Sequence, residues 1–352
     1  MKYVSSTDLR SGMCVARPIY GEDGRVLLNS GVILNESFIA RLHKVGIPGV
    51  FILTEPEEMI DIPEIISQQT RQNAIRQVKN VFDSVQVGKT FDIGPISQSV
   101  NAIVDEIITK PNILVNLTDI RTYDGYTFAH SVNVCVLSVI LGVKYQLNEL
   151  ELHELAMGAI LHDVGKIGVA SEILLKNGAL TESEYNEVKK HTLYGWQILR
   201  DHPDIPLLSA HIAYQHHEQP NGKGYPRGLI DEQIYLYSKI VGVADAYDAM
   251  TSARVYRPAM QPSQALRVIK QLSGIQFNPT AAEYLISCVA PYPVGSRVML
   301  NTQEIGIVVD VNQTDRTRPV VRILFHPDGS KCENQYEIDL AKEPALSIQK
   351  SV

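Results

Sequence analysis

The sequence predicts a mainly α-helical protein, in which a helical bundle is flanked by a small N-terminal α+β module and a small C-terminal β-barrel-like module. Three observations lead to this prediction. Short β-like runs occupy the first part of the chain, apolar residues recur at spacings of three and four through the middle, and a period of two takes over near the C-terminus. The 352 residues suffice for two or three domains of ordinary size.

The N-terminal module is expected over residues 1–55. The runs MCVARPIY and VLLNSGVIL lie on either side of the turn GEDGR, and an amphipathic ESFIARLHKVG precedes a final GVFIL. Proline and acidic residues then cluster in TEPEEMIDIPE, which is typical of a connector. We therefore assign residues 56–97 to a linker that continues into a helical connector.

The helical bundle is expected over residues 98–290. Segments such as ISQSVNAIVDEIITK and AHSVNVCVLSVILGVKY have the spacing of helices that bury one face or more. Beyond APYPVGSRV, the runs RVMLNT, EIGIVVDVN, PVVRILF and YEIDLA have a period of two and are separated by Gly, Asn, Asp and Pro. Residues 291–352 are therefore predicted to form the β-rich C-terminal module.

The composition excludes several classes of protein. A net charge of -7 disfavours binding to duplex nucleic acid, because proteins of that class present a basic face to the phosphates. The four cysteines are scattered and form no CxxC pair, which argues against a zinc knuckle or a disulfide framework. No signal-peptide pattern is present, and the run VNVCVLSVILGV is shorter than the roughly 18 residues of a membrane span. We expect a cytoplasmic protein.

The histidines are concentrated in one part of the chain, since eight of the ten lie between positions 130 and 217. The residues with the character of metal ligands are His130, the pair His162 and Asp163, His191, the pair His216 and His217, and Asp245. Neighbouring helical residues point about 100° apart, so the pair His162 and Asp163 would straddle a site. Imidazole and carboxylate ligands favour Fe, Mn, Co, Ni or Zn over Ca or Mg. Two such ions suit phosphoester hydrolysis by a bridging hydroxide.

Two strings, HDVGK at 162–166 and HHEQPNGKGYP at 216–226, resemble the signatures of the HD-GYP family, a branch of the HD-domain phosphohydrolases. The segments YTFAHSVNV, KKHTLYGWQIL and VADAYDAMTSARVYR are similar to further blocks of that family, in its order and spacing. The resemblance covers about residues 100–290. Its five blocks together are specific, whereas a lone HD would be a weak signal.

The resemblance implies hydrolysis of the bacterial second messenger cyclic di-GMP to linear pGpG or on to GMP. Members of the family use two or three divalent transition metal ions, often iron or manganese. The ligands carried over are His130, His162, Asp163, His191, His216, His217 and Asp245. Asp163 would bridge two ions, and the ammonium of Lys166 would stabilise charge that develops on the scissile phosphate.

Other positions are implied to contact substrate or partners. Arg254 and Arg257 resemble positions used for phosphate or guanine contacts. The triplet Gly224, Tyr225 and Pro226 is intact, and in the family this loop borders the site and is linked to partner binding, for example of a diguanylate cyclase.

Some relatives have a glutamate that binds a third metal where this chain has Tyr126. A phenol is a poor ligand near neutral pH, so we expect a binuclear site. Asp248, which stands one helical turn from Asp245, could support a metal ligand or only stabilise its helix, and Glu218 could cap the loop instead of touching metal.

Alternatives to this function remain at the level of the sequence. The same chemistry could act on another cyclic dinucleotide or nucleotide phosphate, because the sequence does not fix the base pocket. A non-catalytic sensor could instead bind cyclic di-GMP or a signalling protein without turnover. A homodimer also remains open.

Overall fold

The computed structural model describes residues 2–16, 18–20, 26–45, 47, 49–53, 64–110, 126–176, 178–252 and 259–352. Arg254 and Arg257 lie outside these ranges, and the side chain of Tyr126 is not described either. In chain order, the described residues form a small β/α unit, a helical body and a β-sheet unit, each with a hydrophobic cluster.

The described residues of the N-terminal unit form two small sheets and one α-helix, where the sequence predicts a small α+β module. Its elements are β1 (Lys2–Ser5), β2 (Cys14–Val15), β3 (Ile19–Tyr20), β4 (Val26–Leu28), α1 (Glu36–Val45) and β5 (Gly49–Leu53). The larger sheet has the antiparallel order β1-β5-β2, and β3 pairs with β4. The central strand β5 is apolar and almost wholly buried, because α1 and the neighbouring strands contribute to the same cluster.

The helical body begins just before α2 and ends with α12. Its helices are α2 (Gln68–Gln86), α3 (Ile93–Ile108), α4 (Tyr126–Lys144), α5 (Glu149–Ile160), α6 (Ser171–Leu174), α7 (Glu182–Lys189), α8 (His191–Arg200), α9 (Leu207–Gln215), α10 (Leu236–Thr251), α11 (Pro262–Gln271) and α12 (Pro279–Cys288). Side-chain caps fix several of their starts, including Ser67 before α2, Asp92 before α3 and the capping box of Asn148 with Glu151 at α5.

Helix α4 is the centre of this body. Every residue from 129 to 142 is buried, and α4 packs against α2, α3, α5, α10 and α12. A helix that is apolar on all sides must be surrounded by protein or lipid. Within the described residues, no helix combines the length and apolar character needed to cross a membrane. The polar side chains of α4 are therefore held in the protein interior.

The hydrophobic cluster of the helical body runs from Ile65 to Val289 and includes residues of α2. Helix α2 lies in the segment expected to be a connector, and it packs directly on α3 and α4. The domain limits inferred from the sequence remain predictions.

The C-terminal unit is a five-stranded antiparallel sheet. Its strands are β6 (Arg297–Leu300), β7 (Ile305–Asp310), β8 (Val320–Phe325), β9 (Glu337–Asp339) and β10 (Ile348–Ser351), in the order β10-β6-β7-β8-β9. The expectation of a barrel-like module is wrong in one respect, because the sheet does not close. Closure requires the two edge strands to pair, and here the short β9 and β10 are opposite edges.

Candidate metal centre

The seven side chains with ligand character come from five segments of the helical body and converge on one place. His130 lies in α4, His162 and Asp163 in the turn after α5, His191 at the start of α8, His216 and His217 just after α9, and Asp245 in α10. The imidazole of His217 is the most exposed of them, with 28% of its side chain accessible. Asp163 and the other four histidines are buried.

Asp163 stands between the histidines. Its Oδ2 lies 3.4 Å from Nε2 of His162 and 3.8 Å from Nε2 of His130. Its Oδ1 lies 3.5 Å from Nε2 of His191 and 3.9 Å from Nε2 of His216. The two carboxylate oxygens thus face different groups of imidazoles, which is the arrangement that a bridging ligand requires.

The remaining donors divide into two sets. His130, His162 and Asp245 form one set, and His191, His216 and His217 form the other, with the candidate ligand atoms of each set within 4.8 Å of one another. In the first set, Nε2 of His130 is 3.0 Å from Oδ1 of Asp245. In the second, Nε2 of His191 is 3.4 Å from Nε2 of His216. Asp163 lies between the two sets and can serve both.

Hydrogen bonds to helix carbonyls orient three of the imidazoles. Nδ1 of His162, His191 and His216 lies 2.8, 2.7 and 3.0 Å from the carbonyl oxygens of Ala159, Val188 and Ile212, respectively. A carbonyl accepts a hydrogen bond from Nδ1–H, so the other ring nitrogen, Nε2, keeps its lone pair. These bonds fix both the tautomer and the direction of each ring, as is usual for metal-binding histidines.

Two buried atoms indicate that this cluster fits a metal ion. Nε2 of His162 and Oδ1 of Asp163 are inaccessible to solvent and have no hydrogen-bond partner. Buried polar atoms without partners are rare because they lose hydration without compensation. A cation would satisfy both atoms, and a set of imidazoles and carboxylates without thiolate is suited to iron, manganese and related transition metals.

The electrostatics keep most of the donors in the form that binds metal. Burial lowers the pKa of His191 and His216, and it lowers the pKa of His217 to about 3, so these imidazoles are neutral. Burial by itself would raise the pKa of Asp163, but the charge of Lys166 and the interactions with the neighbouring imidazoles together outweigh burial and hold that pKa well below its usual range. Metal ligands must be deprotonated, and these residues already are.

His130 is the exception among the imidazoles. Burial by itself would lower its pKa, but hydrogen bonds to Asp245 and Asp248 prevail and raise the pKa to about 9. A proton on Nε2 of His130 occupies the position that a cation would take beside Asp245. The carboxylates of Asp245 and Asp248 thus attract positive charge to this position.

Asp248 supports His130 from the side away from the centre. Its Oδ2 accepts a hydrogen bond from Nδ1 of His130 at 2.7 Å, and its Oδ1 accepts one from Nδ2 of Asn133 at 3.1 Å. The carboxylate is fully buried. Of the two roles left open by the sequence, this geometry favours support of the ligand. Sequence reasoning missed Asn133, although it stands one helical turn from His130 as a polar residue in an apolar run.

The loop after His217 is held by Glu218. Its Oε1 accepts a hydrogen bond from the backbone N–H of Arg227 at 2.7 Å, and its Oε2 accepts one from that of Leu229 at 2.8 Å. Gly224 packs against the same residue, since an added Cβ would lie 2.4 Å from Cα of Glu218. Glu218 therefore caps the loop, in agreement with the structural interpretation of this residue.

Tyr225 closes one side of the centre. Its ring stacks on that of His217, with centroids 4.7 Å apart and an interplanar angle of 30°. The exposed Tyr185 lies edge-on to it at 6.5 Å, and Nζ of Lys189 is 5.8 Å from the Tyr225 centroid. The exposed Pro226 follows Tyr225 through a cis peptide bond. The triplet therefore borders the cluster, next to an aromatic and cationic rim.

Lys166 is the cation nearest to Asp163. It lies in the 3₁₀ helix Val164–Gly168, and Nζ donates a hydrogen bond to Oδ2 of Asp163. Its side chain is 31% exposed, so the ammonium lies at the boundary between the buried cluster and solvent.

Glycines allow the segments that carry the donors to approach closely. A Cβ on Gly165 would lie 2.0 Å from the carbonyl oxygen of His191 and 2.2 Å from the backbone nitrogen of Gly195. A Cβ on Gly242 would lie 2.7 Å from the carbonyl oxygen of His216. Real Cβ atoms do not come so near to backbone, so these glycines set the spacing of the helices around the centre.

Comparisons with known proteins identify related domains in the helical body and in the C-terminal unit. Residues 112–281 match the family model for the HD domain, and residues 297–352 match that for a KOW domain associated with the HD domain. The chain is 32% identical over 265 residues to a cyclic di-GMP phosphodiesterase of Pseudomonas aeruginosa. The aligned region covers 75% of this chain and 64% of that protein. The chain is 37% identical over 154 residues to a 3'3'-cGAMP-specific phosphodiesterase of Vibrio cholerae, and that aligned region covers 44% of this chain and 33% of that protein.

A solved structure is similar in fold. An HDG"Y"P protein from Bdellovibrio bacteriovorus superposes with a TM-score of 0.52 at 19% identity, over 81% of this chain and 98% of that one. The chain belongs to the HD-domain phosphohydrolases and is HD-GYP-like. It spans less than two thirds of the length of the two curated relatives named above.

Substitution of Gly165 by alanine should disturb the centre through its backbone. The added Cβ would collide with α8, so we expect the free energy of unfolding to fall by about 1–3 kcal/mol and less metal to be retained. Gly195→Ala should have a smaller effect, because the nearest atom to its Cβ would be 3.2 Å away. Chemical denaturation and elemental analysis would measure both variants. Equal stabilities would contradict the assigned role of Gly165.

Substitution of Asp163 by alanine should abolish metal retention, because the carboxylate that faces both sets of donors is lost. Elemental analysis of purified protein measures the bound metal, and circular dichroism shows whether the helices persist. Asp201→Ala is the matched control, since Asp201 is exposed at the end of α8 and pairs with Arg200. A wild-type metal content in Asp163→Ala would rule out the bridging position.

Proposed function

We propose that this protein is a metal-dependent phosphodiesterase that hydrolyses cyclic di-GMP to linear pGpG or on to GMP. The observation that carries the proposal is the burial of Asp163 between two sets of imidazole and carboxylate donors. Membership of the HD-domain phosphohydrolases supports the reaction class. The relative in Pseudomonas aeruginosa, a cyclic di-GMP phosphodiesterase, supports the substrate.

We propose that the centre holds two divalent transition metal ions, with iron or manganese favoured. His130, His162 and Asp245 would hold one ion, and His191, His216 and His217 would hold the other. Asp163 would be shared. Such cations supply Lewis acidity toward a phosphodiester and lower the pKa of water toward neutrality.

The residues of the chain perform the remaining tasks. The carbonyl-bound imidazoles and the Asp248-bound His130 hold their Nε2 atoms in fixed directions, so no reorganisation is needed when substrate arrives. Lys166 partly neutralises Asp163 and presents its ammonium at the solvent boundary, where a phosphodiester can reach it. Charge that develops on the phosphoryl oxygens is then stabilised in a site of low dielectric constant.

The bases of a cyclic dinucleotide would lie outside the ligand cluster. Tyr225, Tyr185 and Lys189 form an aromatic and cationic rim beside His217, and base-to-aromatic stacking tolerates different bases. We propose that Arg254 and Arg257 contact phosphate or guanine from the segment that follows α10. Because the stacking rim does not distinguish guanine from adenine, 3'3'-cGAMP is the second candidate substrate, and the relative in Vibrio cholerae supports it.

The substrate is tested directly on the full chain. Protein purified without oxygen and loaded with manganese or iron is incubated with cyclic di-GMP or 3'3'-cGAMP, and the products are separated by chromatography. We expect linear product with a higher kcat/KM for cyclic di-GMP, and none from Asp163→Ala. A higher kcat/KM for 3'3'-cGAMP would change the substrate and keep the reaction class. Tight binding of intact cyclic di-GMP over hours would instead favour a non-catalytic sensor.

Substitution of Lys166 by methionine should lower kcat while the metal is retained. The loss of one preorganised charge from a transition state costs about 10²–10³ in kcat, whereas Lys166 lies outside the seven donors. Steady-state kinetics and elemental analysis measure the two effects separately. Lys79→Met is the control, because Lys79 is a partly exposed lysine on α2 that pairs with Asp83. A rise in KM without change in kcat would restrict Lys166 to substrate binding.

A further inference from the structure

A chain of buried hydrogen bonds connects helix α2 to the metal centre. Nη1 of Arg71 donates to Oδ1 of Asn133 at 2.9 Å, and Nδ2 of Asn133 donates to Oδ1 of Asp248 at 3.1 Å. Oδ2 of Asp248 accepts from Nδ1 of His130 at 2.7 Å. All four residues are buried, and Arg71 is only 4% exposed.

Arg71 is an unusual residue to find in this interior. A buried guanidinium is costly unless it is paired and fully hydrogen-bonded. Within the part of the chain that the structure describes, no ion pair brings a carboxylate to Arg71, and its Nη2 is buried without a hydrogen-bond partner. Its guanidinium donates to the amide oxygen of Asn133. A residue kept at this cost in an apolar helix interface requires a reason beyond packing.

The amide of Asn133 transmits orientation from Arg71 to Asp248. Its carbonyl oxygen accepts from the guanidinium, and its NH₂ group donates to the carboxylate. A flip of the amide would set NH₂ against the guanidinium and oxygen against the carboxylate, so both bonds would be lost. With Oδ1 held by Asn133 and Oδ2 held by His130, the carboxylate of Asp248 cannot rotate without loss of one of these bonds.

We propose that Arg71 is a positioning residue of the metal centre, which acts through Asn133 and Asp248 to fix the ring of His130. The guanidinium provides positive charge behind the carboxylate, and the chain of bonds directs Nε2 of His130 toward Asp245 and Asp163. This inference rests on the metal centre assumed in the proposed function. It concerns metal binding and does not depend on which substrate is hydrolysed.

Arg71 lies before the part of the chain that matches the HD domain. The match to the HD domain begins at residue 112, whereas Arg71 belongs to α2, in the segment expected to connect two modules. The side chain of Arg71 crosses to α4 and meets a residue 62 positions later. The unit that binds metal therefore includes α2, and a domain cut at residue 112 would lack part of the support for His130.

The test compares variants of the full chain in manganese affinity and in the absorption spectrum of cobalt(II)-substituted protein. Arg71→Met removes every donor while it keeps the bulk of the stem, and we expect manganese affinity to fall about 10–100-fold, as for other losses of support behind a metal ligand, with a changed cobalt spectrum. Arg71→Lys keeps one donor for Asn133 and should recover part of the affinity. Arg76→Met is the matched control, because Arg76 is exposed on the same helix and bonds only Asn73 among the described residues.

Several outcomes would overturn the proposal. One is wild-type manganese affinity and cobalt spectrum in Arg71→Met, and another is an equal loss in Arg76→Met. If Arg71→Met does not fold, Asn133→Ser cuts the same chain of bonds with a smaller side chain, and wild-type affinity in that variant also refutes the idea. Failure of the wild type to bind manganese or cobalt would refute the metal centre itself. Absence of phosphodiesterase activity in a metal-loaded wild type would leave the role of Arg71 intact.

Discussion

The burial of one carboxylate among four imidazoles is the constraint on which the structure of the centre depends. Asp163 faces His130 and His162 with one oxygen and His191 and His216 with the other. The carbonyl-bound imidazoles of His162, His191 and His216 turn Nε2 lone pairs toward this carboxylate and do not hydrogen-bond to it, so its Oδ1 is left without a partner. Such an arrangement is costly without cations, so the bundle must hold the donors in place by other means.

Those means are the backbone contacts and hydrogen bonds around the donors. Gly165 and Gly242 allow neighbouring backbone to approach more closely than any Cβ would permit, and the carbonyls behind the rings fix three of the imidazoles. A close-packed interior has little freedom to relax. The helices can therefore keep the donors converged even where no hydrogen bond joins a donor to its neighbours.

The sequence predicts the candidate donors because their residue types are distinctive and their order resembles that of a known family, and all seven lie close together in the structure. It does not reveal Arg71 or Asn133, because a contact across 62 residues leaves no periodic signal and a lone arginine in an amphipathic helix suggests an exposed face. The alternation of apolar and polar residues predicts the C-terminal strands, but it does not predict whether their sheet closes. Whether a sheet closes depends on which strands are edges, and an alternating pattern carries no information about β9 and β10.

The charges around the centre bear on how an acidic chain could accept the anionic substrate proposed for it. Three carboxylates, the buried Asp163 and Asp248 and the partly exposed Asp245, are accompanied by two permanent cations, Lys166 and Arg71, so the described cluster carries a small excess of negative charge once His130 has lost its extra proton. Two divalent cations, as proposed, would make the net charge of the cluster positive. That positive charge would exceed the negative charge of two phosphodiesters. In a site of low dielectric constant, the local field outweighs the distant net charge of -7. Metal binding would therefore precede substrate binding.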